Sequence, residues 1–260
     1  MTVKKIETVF FSVLEDLKDY LPDLTIVGGW MPYVYSNFLW KNSVNRPVTT
    51  VDIDFGVDAP RNSKHPRTIF KMLSGLDYTE RHPRMDRMFP VVLLKEKVPV
   101  EFITDPAVDI AEVEALVGSE MQINRIEKFD FLLKHRRSIT IQAPQGKGPY
   151  EVNCPAPAAF LYHKAATFID RMNKEKQAKD MYYMYFILRY APDSNALLKE
   201  ISQFSKEGHF KTVSENLAKF FERVSSPGCL MIERENGPDE FLYDLRQDIL
   251  ERFSKLREAL

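Results

Sequence analysis

Two aspartates stand one residue apart in the stretch TTVDIDFGVD, Thr49 to Asp58. Val51, Ile53 and Phe55 alternate with Asp52 and Asp54, which is the pattern of a β-strand, so the two carboxylates point to one face. Neighbouring carboxylates repel each other and resist burial without a partner. Either that face is wet, or a cation sits between them. Hard oxygen ligands with no nearby Cys or His suit Mg2+ or Mn2+ and not zinc. A third acid, Glu101, interrupts the apolar run VPVEFIT. On a strand beside the first, it would complete a set of three carboxylates. Such a set can hold two divalent cations ~3.5–4 Å apart and clamp both the attacking and leaving oxygens of a phosphoryl displacement. Taken singly, each feature has a plainer reading: a solvated strand face for Asp52 and Asp54, an exposed strand glutamate for Glu101.

The elements that must position these acids are legible around them. Apolar residues at Val3, Ile6, Val9, Phe10, Val13, Leu14 and Leu17 have helical spacing, ended by Pro22-Asp23. LTIVGGW is a short strand running into Gly28-Gly29. Pro32 then permits a helix start that MPYVYSNFLWK continues. Glycine lets a phosphate approach the backbone, and a helix start supplies free N–H donors, although two glycines also simply make a tight turn. PRTIFKMLSGL reads as a helix closed by Gly75. FPVVLL and VPVEFI read as a hairpin turning at Lys95 to Lys97. DIAEVEALV reads as a short helix, FDFLL and SITIQAP as strands, and GKGP, Gly146 to Pro149, as a turn. Beyond about Cys154 every periodic segment is helix-like: PAAFLYHKAATFIDRM, KDMYYMYFILRYA, NALLKEISQFSK, TVSENLAKFFERV and DEFLYDLRQDILERFSKLREAL. The expected organisation is an α+β domain over residues 1–150 and an all-helical domain over 151–260, joined near Gly146 to Pro157.

Bulk properties narrow the function classes. The 260 residues are 44% apolar and 28% charged, which supports a packed core over disorder. With 36 basic and 37 acidic residues, a global pull on nucleic acid or membrane is not expected. Cys154 and Cys229 form no C-x-x-C pair and read as buried free thiols of a reducing compartment. The N-terminal segment mixes acidic with apolar residues, unlike a signal peptide, and no window approaches the ~20 apolar residues of a membrane span. A cytoplasmic protein is expected.

The order glycine turn, helix, D-x-D strand, lone acid resembles the nucleotidyltransferase fold superfamily. There the pattern is a hydrophobic residue before Gly-Gly or Gly-Ser, then Asp-hydrophobic-Asp, then a third acid. Ile26 to Gly29, Asp52 to Phe55 and Glu101 match it. Thr50, two residues before the first aspartate, matches the T-x-D-I-D of the AbiEii-like branch and related uncharacterised bacterial families. The likeness continues into PAAFLYHKAATFIDRMNKEKQAKDMYYMYFIL, where Lys164, Arg171, Lys179 and Asp180 fall on a lysine-bearing helix and a K-D pair. It covers roughly Leu24 to Leu188.

The resemblance implies a fold with a mixed sheet and flanking helices, followed by the helical domain closing an active-site cleft. It implies transfer of a nucleoside monophosphate from an NTP to an acceptor, with Mg2+ or Mn2+. Asp52, Asp54 and Glu101 would hold metal. Gly28, Gly29, Trp30 and Thr50 would hold the nucleotide. Lys164 would offset triphosphate charge, and Asp180 would act with it or merely cap a helix. Acceptors in the superfamily are RNA, proteins or small molecules, and some members are toxins with an antitoxin partner. Two departures stand out: the Gly29-to-Asp52 interval is long, and Arg46 within it does not fit the usual arginine position.

Lys134-His135-Arg136-Arg137 reads as an RNA contact or a solvated turn. The five histidines share no ligand spacing. ERHPRMDRM reads as a charged loop or strand edge, and MYYMYF as core between helices. A non-catalytic nucleotide-binding regulatory module is the alternative function, and a structural protein with a merely solvated D-x-D is the third.

Overall fold

The computed structural model describes residues 3–42, 50–58, 65–83, 90–208, 212–236 and 244–260. The chain forms two compact units, Met1–Ala156 and Pro157–Leu260.

The first unit is built on an eight-stranded mixed sheet, in the order β3-β4-β5-β2-β1-β8-β7, with β6 paired to the far half of β5. The strands are β1 (Leu24–Val27), β2 (Ile53–Val57), β3 (Tyr78–Arg81), β4 (Val92–Lys95), β5 (Val98–Thr104), β6 (Ile123–Arg125), β7 (Arg136–Ile141) and β8 (Tyr150–Pro155). Its helices are α1 (Val3–Asp16), α2 (Met31–Val34), α3 (Ile69–Leu73), α4 (Ile110–Val117) and α5 (Phe129–Lys134). β1 pairs antiparallel with β2 and parallel with β8, and β2 pairs parallel with β5. The β4–β5 hairpin turns through Glu96 and Lys97, both at positive φ (48° and 72°), as a two-residue turn of the twist-compatible kind requires.

FDFLL is a helix and not the strand its composition suggests. Phe129, Phe131, Leu132 and Leu133 are all buried, and a Cβ added at Gly56 would stand 2.9 Å from Leu133 Cδ2. The helix is started by Asp105, whose carboxylate accepts from the backbone N–H of Asp130 at 3.0 Å and of Ala107 at 2.8 Å. Burial pushes the Asp105 carboxyl up, but these backbone donors outweigh it and hold it below the usual range.

β8 has no counterpart among the strands expected from the sequence. Tyr150, Val152 and Cys154 are buried while Glu151 is exposed, a period-2 strand. Asn153 fixes it in place: its side-chain amide donates to the carbonyls of Pro22 and Leu24, each at 3.1 Å, where the chain enters β1. Lys95 ends β4 in a buried position. Its ammonium donates to Asp16 Oδ2 at 2.9 Å and to Asp77, and it lies 4.7 Å from the Tyr78 ring centre.

The second unit is helical: α6 (Pro157–Thr167), α7 (Lys174–Tyr190), α8 (Ser194–Lys206), α9 (Val213–Phe220), α10 (Pro227–Asn236) and α11 (Leu245–Ala259). The MYYMYF stretch is buried throughout, because α7 is covered on more than one face by α6, α10 and α11. Its residues are therefore core. α10 had no counterpart in the sequence reading. No helix among the described residues is long and apolar enough to cross a membrane.

Candidate active site

Strand register brings two of the acids, Asp54 and Glu101, together. β2 is shorter than its apolar alternation suggests, starting at Ile53, and Val51 is 51% exposed. Ile53, Phe55 and Val57 are fully buried on one face, so Asp54 falls on the other, and Asp52 two residues before it keeps that parity. Asp54 pairs with Val27 on β1 and with Glu101 on β5. Neighbouring strands lie ~4.8 Å apart, so in-register side chains on one face are adjacent. Asp52, Asp54 and Glu101 are all partly exposed.

The chain leaves β1 at Val27, directly opposite Asp54, and turns through a 3-10 helix, Gly28–Trp30. Gly28 sits at φ +70°, and a Cβ there would stand 2.0 Å from Asp54 Oδ2. Only glycine permits both the backbone angle and the approach of the carboxylate. Trp30, expected at the nucleotide, is fully buried: its ring stacks on Phe10 with centres 4.1 Å apart and meets Tyr33 edge-on at 5.5 Å. Its indole anchors the turn to α1, which leaves the backbone N–H as its means of touching a ligand. Thr50 is partly exposed just before the strand. Arg46 lies outside the described residues.

Glu101 has two partners that sequence reasoning missed. Asn124 on β6 donates from Nδ2 to Glu101 Oε2 at 3.0 Å, and Gln122 donates to Asn124 Oδ1 at 2.9 Å. Arg81, ending β3, places Nη2 3.6 Å from Glu101 Oε1. The only sequence signal was indirect: ERHPR reads as a charged strand edge, and QIN carries no motif. Among the described residues, no three His, Cys, Asp or Glu side chains are gathered tightly enough to enclose a metal ion. The donor chemistry of Asp52, Asp54 and Glu101 still fits a hard divalent cation, as carboxylates with an open glycine cradle beside them.

In the second unit, Lys164 and Asp180 meet. Lys164 Nζ donates to Asp180 Oδ1 at 2.5 Å, and Arg171 Nε donates to Oδ2 at 2.8 Å. Lys164 and Asp180 are buried, whereas the Arg171 side chain is 36% exposed. Burial pushes the Asp180 carboxyl up, but the two cations prevail and hold it below its usual range. Asp180 is no helix cap: α7 begins at Lys174 and is capped by Asn173, whose side chain accepts from Glu175 N and Lys176 N. The basic run is divided between structural duties. Lys134 pairs with Asp130 at 2.7 Å within α5, and Arg136 reaches Thr25 Oγ1 at 3.5 Å.

A mixed sheet that sets a glycine turn, an Asp-x-Asp strand and a lone glutamate side by side, with helices following, is the nucleotidyltransferase fold. A family model described as "Nucleotidyltransferase" matches residues 10–203, and the chain belongs to that family. Among solved structures, the chain is similar to an antigenic nucleotidyltransferase-like protein from Paracoccidioides brasiliensis, with TM-score 0.51 and 15% identity over 84% of this chain and 89% of that one. The comparison with curated proteins returned no match. Family and fold together support a nucleotidyltransferase activity.

Proposed function

We propose that the protein transfers a nucleoside monophosphate from an NTP to an acceptor hydroxyl or amine, releasing pyrophosphate, with Asp52, Asp54 and Glu101 as the divalent-cation ligands. The observation that carries this reading is the register Asp54↔Glu101 with Gly28 packed against the Asp54 carboxylate. Bound Mg2+ or Mn2+ would supply charge neutralisation on the phosphates and a more acidic acceptor. The chain's own residues do the rest. Gly28, Gly29 and Trp30 offer backbone N–H groups to the phosphates. Thr50 stands beside the D-x-D as a further hydroxyl donor. Glu101, on β5, would hold the metal nearer the acceptor and take the acceptor's proton.

The experiment is a thermal shift with each NTP, with and without Mg2+ or Mn2+, on wild type, Asp52→Asn and Asp54→Asn. A ligand that binds only the folded state raises the midpoint by mass action. Stabilisation that needs metal and disappears in both variants is expected. A full shift in Asp52→Asn sinks the reading. Lys164→Gln joins the same series because the AbiEii-like resemblance assigns Lys164 to the nucleotide, and Asp180→Asn because it gives Asp180 a catalytic role. Pyrophosphate release separates a transferase from a non-catalytic nucleotide-binding module. The resemblance's acceptor classes (RNA, protein, small molecule) are the arms of a radiolabel transfer assay. Relief of growth arrest by a co-expressed antitoxin would mark a toxin.

A further inference from the structure

We propose that Asn124 is a positioning residue of this site and Arg81 a competing counter-charge: Asn124 fixes one oxygen of Glu101, and a divalent cation displaces Arg81 from the other. The inference rests on the assignment of Glu101 as a metal ligand.

The two contacts differ in kind. The Asn124 amide reaches Glu101 Oε2 at 3.0 Å, an ordinary hydrogen bond. It is itself held, since Gln122 Nε2 occupies Asn124 Oδ1 at 2.9 Å and so turns the Nδ2 end toward Glu101. The backbone beneath is fixed too: Gln122 N donates to Val91 O at 2.8 Å, and β6 pairs with β5 from Phe102 to Thr104. Arg81, by contrast, sits 3.6 Å from Oε1, and its side chain is 50% exposed. That is an ion pair without hydrogen-bond geometry, of the solvent-side sort that is easily exchanged.

The consequence is a division of labour between the two carboxylate oxygens. Oε2 is committed to Asn124. The carboxylate charge is shared by both oxygens, and Oε1, which faces Arg81 without a hydrogen bond, is the atom able to change partner. A partner that hydrogen-bonds a ligating carboxylate orients it, and losing such a partner typically weakens metal binding about 10- to 100-fold. A loosely paired cation acts with opposite sign, because it competes with the metal for the same charge.

The test is a Mn2+ titration of the full chain, with free Mn2+ read by electron paramagnetic resonance, across Arg81→Gln, Arg81→Lys, Asn124→Leu, Glu101→Gln and Asp54→Asn, with Arg81→Gln and Asn124→Leu repeated in the Glu101→Gln background. Arg81→Gln is expected to bind Mn2+ about two- to five-fold tighter, the range set by an exposed ion pair. Arg81→Lys is expected to match wild type. Asn124→Leu is expected to bind about 10- to 100-fold more weakly. Both effects should vanish when Glu101 is glutamine. A merely structural role would not tighten binding or be restored by lysine. If Glu101→Gln and Asp54→Asn weaken Mn2+ binding but Arg81→Gln leaves it unchanged or weaker, the positioning inference fails and the site assignment stands. If Glu101→Gln and Asp54→Asn leave Mn2+ binding unchanged, the site assignment itself fails. Arg81 is a half-exposed strand-end residue, so its variants keep the test decisive if Asn124→Leu does not fold.

Discussion

Gly28→Ala should be far costlier than a glycine-to-alanine change at an ordinary surface turn. Two effects add. The residue sits at φ +70°, a left-handed angle that costs a side-chain-bearing residue about 1–2 kcal/mol. The new Cβ would also stand 2.0 Å from Asp54 Oδ2 and 2.9 Å from its Cγ. Carbon and oxygen do not approach that closely, so the carboxylate must swing away by roughly 1 Å. Leaving its rotamer costs about 0.5–1.5 kcal/mol. The total is about 2–3 kcal/mol, which for a domain of this size lowers the melting midpoint by roughly 4–12 °C. Thermal unfolding followed by near-UV circular dichroism would measure it on wild type, Gly28→Ala, Asp54→Ala and the double variant. Asp54→Ala removes the oxygen that the Cβ strikes, so about 1 kcal/mol of the alanine penalty should disappear in the double variant while the backbone part stays. The displaced carboxylate should also cost about 100-fold in nucleotide transfer. A Gly28→Ala midpoint within a degree of wild type would refute the geometry. So would an equal penalty in the Asp54→Ala background.

Other outcomes follow from the same structure. Lys164→Met leaves Asp180 buried with Arg171 as its remaining cation and should destabilise the protein by less than the about 3–5 kcal/mol that losing a sole partner costs, measurable by urea denaturation. Asp180 is held below its ordinary 3.8 by its two cations, so its stabilisation is fully present above that value and lost as the pH falls through the lower folded-state value. Asp180→Asn should therefore be less stable at neutral pH and lose part of the acid-side slope of stability. Lys95→Met strands Asp16 beside Tyr78 with no ammonium and should destabilise the protein by about 3 kcal/mol. Burial pushes the Cys154 thiol up to about 12 and the Cys229 thiol up to about 11. At pH 8 the folded protein should give no reaction with a thiol-specific disulfide reagent, and two equivalents should appear on denaturation.

Much of the candidate site is legible because strand periodicity is a short-range code. Asp52, Asp54 and Glu101 announce themselves as polar residues set in apolar runs, and Gly28 by the strand it ends. The register that makes Asp54 a neighbour of Glu101 is a long-range fact, set by how β2 and β5 align, and no local pattern carries it. Asn124 was invisible for a related reason: a three-residue strand has too few positions for a period to emerge. FDFLL misled because an apolar run of five suits strand or helix equally, and the deciding feature, the Asp105 carboxylate at its start, lies 24 residues upstream. YEVNCP carries a period-2 signal, but it lies between the GKGP turn and the helical segments, inside the stretch read as a junction, where a six-residue strand is easily passed over. Asp180 was ambiguous between cap and interior only because the start of α7 at Asn173 sits in a polar stretch without periodicity.

β8 has a consequence for how the protein is made. β1 and β2 are synthesised early, yet the partner on the other side of β1 arrives roughly 90 residues after β2 ends. At about 5–20 residues per second, a ribosome takes on the order of 5–20 s to deliver it. Throughout that interval the nascent chain carries an unpaired strand edge of LTIV, short and destined to be fully buried, in what will be the middle of the sheet. The last strand to emerge is therefore the one that seals the first unit. A chain stopped at residue 150 would lack that seal and should be a client for chaperones, while one extended only to residue 156 would hold every strand of the sheet.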